Sequence, residues 1–93
     1  MFVGVARFEL HVPAARSLKD KRSVVRGLKD RIRQRTSAAV AEVDHQDLWQ
    51  RTALGVAVVS ADHDQVTQML QAVRALAESA PGADLLDWQE DIR

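Results

Sequence analysis

Residues 2 to 12 alternate, with Phe2, Ala6, Phe8, Leu10 and Val12 on one side of an extended chain and Arg7, Glu9 and His11 on the other. A period of two is the mark of a half-buried strand. Pro13 ends it, because proline cannot donate to a ladder. Ser17, followed three residues on by Asp20, then reads as a capping-box-like start for a helix running to about Arg35. At 100° per residue Leu18, Val24, Val25, Leu28 and Ile32 make its buried stripe, with Lys21 projecting into the same apolar sector near the first turn. There the lysine stem can lie on the core while the ammonium snorkels out or meets a carboxylate.

Thr36 to Val43 is compatible with a strand, but Ala38, Ala39 and Ala41 supply little bulk, so it reads as an edge. Leu54 to Ser60 is stronger, with Leu54, Val56 and Val58 on one face and Ala57 and Val59 on the other, the pattern of a central strand. Asp44 to Thr52 contains no Gly or Pro and holds Leu48 and Trp49, which suggests that the two strands run on into a long hairpin arm. Asp62 caps a second helix with a stripe of Val66, Met69, Leu70, Val73, Leu76 and Ala77, ended by Pro81 and Gly82. Leu86, Trp88 and Ile92 alternate with Asp87, Gln89 and Asp91 in a last strand.

The order is β-α-β-β-α-β. Right-handed crossovers favour an α+β, ferredoxin-like sandwich: one domain over residues 1–93, a four-stranded antiparallel sheet with the first and third strands central, and both helices on one face. The opposite face is left to water or to a partner. The first strand-to-helix turn, the middle hairpin and the Pro81–Gly82 turn gather at one end, which would bring Arg16 and Lys19 towards Asp44, His45 and Asp47.

Charge changes this picture more than composition does. With 13 basic and 13 acidic residues the chain is formally neutral, yet nine of the cations and two of the acids lie between Arg16 and Arg35. That segment is +7 and the remainder −7, so the domain is electrically dipolar. Lys19, Arg22, Arg26, Lys29 and Arg33 recur at spacings of three and four and form a single stripe. Such a stripe meets phosphates multivalently, with salt-sensitive and largely sequence-independent affinity. The plainer reading is a solvated amphipathic face. The four aromatics all have structural explanations, so structured RNA or a ribosomal surface suits the stripe better than splayed bases.

The chain has no cysteine, which excludes disulfides and thiolate chemistry and makes the cytoplasm the default expectation. No apolar run approaches the roughly 20 residues that span a bilayer, so no membrane partner is expected. His45 and Asp47 are weak metal candidates, since two ligands do not close a site; a charge network of Asp44, His45 and Asp47 with Arg16, Lys19 or Arg51 explains them as well. No phosphate-binding glycine loop, nucleophile elbow or zinc signature occurs, so no catalytic residue and no cofactor is assigned. Leu48 and Trp49 on an arm would seek burial, either on their own sheet or on a partner, a homodimer included. A domain this small hides only about 60 to 65% of its unfolded surface, so a second copy would also steady its core.

The segments MFVGVARFELHVP, SLKDKRSVVRGLKDRIR, AEVDHQDLWQRTALGVAVVS and LLDW stand in the order found in the YlxP-like proteins, a family of small bacterial proteins of unknown function, and the chain resembles that family over essentially its whole length. AEVDHQDLWQR is the most specific part. The resemblance implies the ferredoxin-like fold, a cytoplasmic bacterial setting and, through genes for transcription elongation, translation initiation and ribosome maturation that often lie beside family members, an association with RNA or ribosomes. It brings no catalytic residues. Around Thr36, Ala38 and Ala39 this chain is poorer in bulky apolar residues than the family pattern. Three readings follow: an accessory protein binding structured RNA or the ribosome through the basic stripe, a protein-interaction or homodimer module, and a small-ligand site or enzyme at the hairpin end.

Overall fold

Two strand-helix-strand halves build the chain, in a computed structural model that describes residues 1–93: β1 (Phe2–His11), α1 (Leu18–Arg35), β2 (Ala39–Asp44), β3 (Arg51–Ser60), α2 (His63–Glu78) and β4 (Asp84–Ile92). The strands order as β2-β3-β1-β4 with every pairing antiparallel, the ferredoxin-like arrangement that the element order favours. Alternation along β1 buries Gly4, Ala6, Phe8 and Leu10 beneath the helices, with Leu54, Val56 and Val58 of β3 beside them. α2 packs on β1, β3 and β4, whereas α1 lies over β2 and against α2. Val25, Leu28 and Ile32 from α1 meet Val66, Leu70, Val73 and Ala77 from α2 in one core.

Both helices begin on side-chain caps. The Ser17 hydroxyl accepts from the Asp20 amide at 3.0 Å and Asp20 accepts from the Arg16 amide at 2.9 Å, so the reciprocal bond falls one residue before the cap. Asp62 caps α2 through the Asp64 amide. Gly4 lets α2 settle on the sheet, since a Cβ there would stand 2.5 Å from Val66 Cγ1 and 3.0 Å from Leu70 Cδ1. Gly82 supplies the left-handed φ of +78° that turns the chain into β4.

Four expectations from the pattern are corrected. β2 starts at Ala39 and not at Thr36, because Thr36 is spent on the end of α1: its hydroxyl donates to the Ile32 carbonyl at 2.8 Å and accepts from the Ala38 amide at 3.1 Å. Leu86 does not share a face with Trp88. Leu10 pairs with Leu85 and Glu9 with Asp87, so Leu86 is the extra residue of a β-bulge, and Leu85 packs on the core in its place. Phe2 stands at the sheet's end, exposed, edge-on to His63. The hairpin is also not a free arm. β3 begins at Arg51, and loop 45–50 is tied down: Gln50 Nε2 donates to the Pro13 and Ala15 carbonyls, and the Leu48 amide donates to His45 O.

Candidate nucleic-acid interface

α1 presents its cations in two environments. Lys21 sits on the core side with no exposed surface, and its ammonium donates to the carbonyls of His45 (2.7 Å), Gln46 (3.2 Å) and Arg51 (3.2 Å) while pairing with Glu42 at 3.1 Å. Glu42 accepts a further bond from the buried Thr52 hydroxyl. The cation therefore satisfies carbonyls that the turning loop leaves without a ladder partner, which is what makes its burial tolerable. The apolar-sector placement of Lys21 was readable from helical spacing; its carbonyl partners, 24 to 30 residues away, were not.

On the solvent side, Arg22, Arg26, Lys29 and Arg33 line a groove of about 520 Å³ between α1 and β2, with Val25, Asp30 and Glu42 completing its wall. Arg33 is partly committed, donating to the Val40 carbonyl at 3.3 Å and standing 3.8 Å from Asp30. Arg22, Arg26 and Lys29 have no acid within ion-pair distance, because Glu42 is turned to Lys21 and Thr52. Lys19 is exposed on the same helix but outside the groove. Four of the five stripe residues are thus gathered, and three are free to meet an anion.

Neither acid of the loop end meets Arg16 or Lys19: Asp44 finds another cation and Asp47 finds none. On the sheet face away from the helices, Arg7 reaches Asp44 at 3.2 Å, and Glu9 holds His45 through Oε1 and Arg51 through Oε2, the latter at 3.1 Å. Strand alternation places Arg7 and Glu9 on that face, and His45 joins them by adopting φ +60°, with its amide donating to Asp44 Oδ1 at 2.7 Å. The His45 hydrogen bond, then the Arg51 charge, hold the Glu9 carboxyl below its ordinary pKa. Asp44 is lowered by the backbone bond from His45 and by the charges of His45 and Arg7. His45 points to Glu9 and not to Asp47, and no three His, Asp or Glu side chains converge in a way that could hold a metal. Leu48 and Trp49 stand about half exposed on the pinned loop. Phe8 and Trp88 stack at 5.0 Å, with Arg74 over the Trp88 ring, so these aromatics belong to the packing.

No helix is long and apolar enough to cross a membrane. Residues 3–90 match the family model described as protein of unknown function (DUF503). The chain is 37% identical over 79 residues to the uncharacterized protein YlxP of Bacillus subtilis, covering 85% of this chain and 86% of that one. Among solved structures it is similar to two de novo designed proteins. Ferredog-Diesel aligns with TM-score 0.52 and 10% identity over 96% of this chain and 83% of its own. The ferredoxin-fold design LFR1 1 aligns with TM-score 0.51 and 13% identity over 100% and 85%. At such identities the likeness is one of fold alone.

Proposed function

The chain belongs to the DUF503 family of proteins of unknown function, and we propose that this member is an accessory protein that binds structured RNA, free or on the ribosome, through the outer side of α1. The observation that carries the reading is the groove in which Arg22, Arg26 and Lys29 stand without acidic partners in a chain that has as many acids as bases. Unneutralised cations on consecutive turns, ~4.5 to 6 Å apart along the axis, fit the repeating charges of a phosphate backbone. Helical RNA is read largely through its shape, phosphates and 2′-hydroxyls, which asks for no stacking aromatics. The groove has none.

Titration of ribosomal subunits and of duplex RNA over a salt series tests the reading. Engagement of about four phosphates gives a log–log salt slope of roughly −3 to −4. Replacing Arg22, Arg26 and Lys29 together by Glu abolishes binding. Absence of binding at low salt, or binding indifferent to the triple replacement, removes the proposal.

A further inference from the structure

The sheet face turned away from the helices is divided, with the Arg7, Glu9, His45 and Arg51 ion pairs towards loop 45–50 and an apolar stretch beside them. Val5, Ala39, Ala41, Val43, Gly55 and Ala57 line an open trough of about 460 Å³ across β1, β3 and β2. The trough exists because its floor is built of small side chains: a Cβ on Gly55 would touch Val43 at 3.0 Å, so Val43, the extra residue of the β2 bulge, lies down over the glycine. Next to it along the strands, Val3 and Val59 pair across β1 and β3 as a ridge, Val59 being 57% exposed.

The cations on this face are paired within the chain, while Asp87, opposite Glu9 on β4, has no cation. Arg7 pairs with Asp44, Arg51 and His45 with Glu9, and Arg93 with Asp91. An anionic partner, nucleic acid included, finds no free cation here. Gln89 and Asp91 give the β4 side a polar border, and the ion pairs around Glu9 give another towards loop 45–50, so the apolar stretch has the polar rim of a protein interface.

We propose that this face is the seat of a two-fold homodimer in which the sheets of two copies pack against each other. The shape is self-complementary: a two-fold axis between the sheets and across the strands sets the Val3–Val59 ridge of each copy in the trough of the other, with Ala57 beside the axis facing its own copy. The size fits as well. Strands of ten, six, ten and nine residues give the whole face, its ion-paired end included, a plan footprint on the order of 550 Å² at ~3.3 Å rise and ~4.8 Å spacing, which corrugation raises towards the ~800 Å² per partner of a standard interface. The interface leaves the outer side of α1 free in both copies, so it stands apart from the RNA reading.

Sedimentation of the full chain from low to high micromolar concentration is expected to show a monomer–dimer equilibrium. Ala57→Glu weakens it at least ~100-fold, because symmetry puts the buried charge on the interface twice. As the chain has no cysteine, Ala57→Cys offers a milder check that the fold tolerates: a short bismaleimide links two chains there, across sheets ~10 Å apart, and not at Gln71→Cys on the outer side of α2. A monomer at all concentrations overturns the proposal. So does a dimer that survives Ala57→Glu or is lost with Trp49→Ala alone, and so does cross-linking that is equal at the two cysteine positions.

Discussion

The two helices lie side by side on one sheet and bury similar apolar stripes, yet their remaining surfaces have little in common. α2 contributes Val66, Leu70, Val73 and Ala77 to the core and carries a nearly neutral outer face whose arginine–carboxylate pair, Arg74 with Glu78, is local. α1 contributes fewer apolar residues, places a lysine among them, and turns a row of unpaired cations outward. Burial accounts for all that α2 does. α1 has side chains that its own packing does not call for, and these divide into one cation that holds the fold together and a stripe left for something else.

Lys21→Met gives the sharpest break in this comparison. It leaves three carbonyls and Glu42 without their cation, and loss of one member of a buried pair costs about 3 to 5 kcal/mol. Melting should fall by at least ~12 °C, since about 4 to 8 °C follow each kcal/mol in a domain of this size. A melt within a few degrees of the parent would mean that the ammonium is not the loop's anchor.

On the α2 side the matching probe is steric. Gly4→Ala pushes a methyl into Val66 and Leu70 and should destabilise by about 1 to 3 kcal/mol in a denaturant titration. An unchanged midpoint would show that α2 rides higher on the sheet than its contacts indicate.

Glu9→Gln has a smaller effect, and a pH dependence identifies it. The folded-state pKa values of Glu9 and Asp44 are depressed, so their contribution is complete above the unfolded values and is lost as pH falls through the folded ones. The gap in melting temperature between the parent and Glu9→Gln should therefore be open at neutral pH and close below about pH 4. A gap that is constant with pH would assign the loss to packing.

The least change in stability is expected from replacing Arg22, Arg26 and Lys29 by Gln, since surface side chains without partners, two of these exposed and Lys29 half-buried, alter stability by no more than about 0.5 kcal/mol each. Relief of repulsion among like charges at helical spacing works in the stabilising direction. A large loss in thermal melts would place the stripe with Lys21 among the structural cations.

Much of the fold was legible because its signals are local. The period of two in β1, the stripe of α2, the caps at Ser17 and Asp62 and the turn at Gly82 each depend on neighbours within a few residues, although α2 itself ends earlier, at Glu78, and the element order with chain handedness then leaves few topologies. The basic stripe was equally readable, since helical geometry alone sets which residues share a side. Leu86 and Val43 were not, because a bulge is a property of two paired strands and reverses the face that alternation assigns.

What the sequence determined by itself, then, is which residues share a face. Which of those faces are satisfied was decided only by the tertiary structure, because hydrogen bonds and ion pairs join groups that chain proximity does not relate. Lys21 finds the carbonyls of loop 45–50, Glu9 finds His45 across 36 positions, and Arg22, Arg26 and Lys29 find no acid although the chain has as many acids as bases. Net neutrality concealed that difference, since charges cancel in a sum at any distance but in a protein only within a few ångströms and out of water.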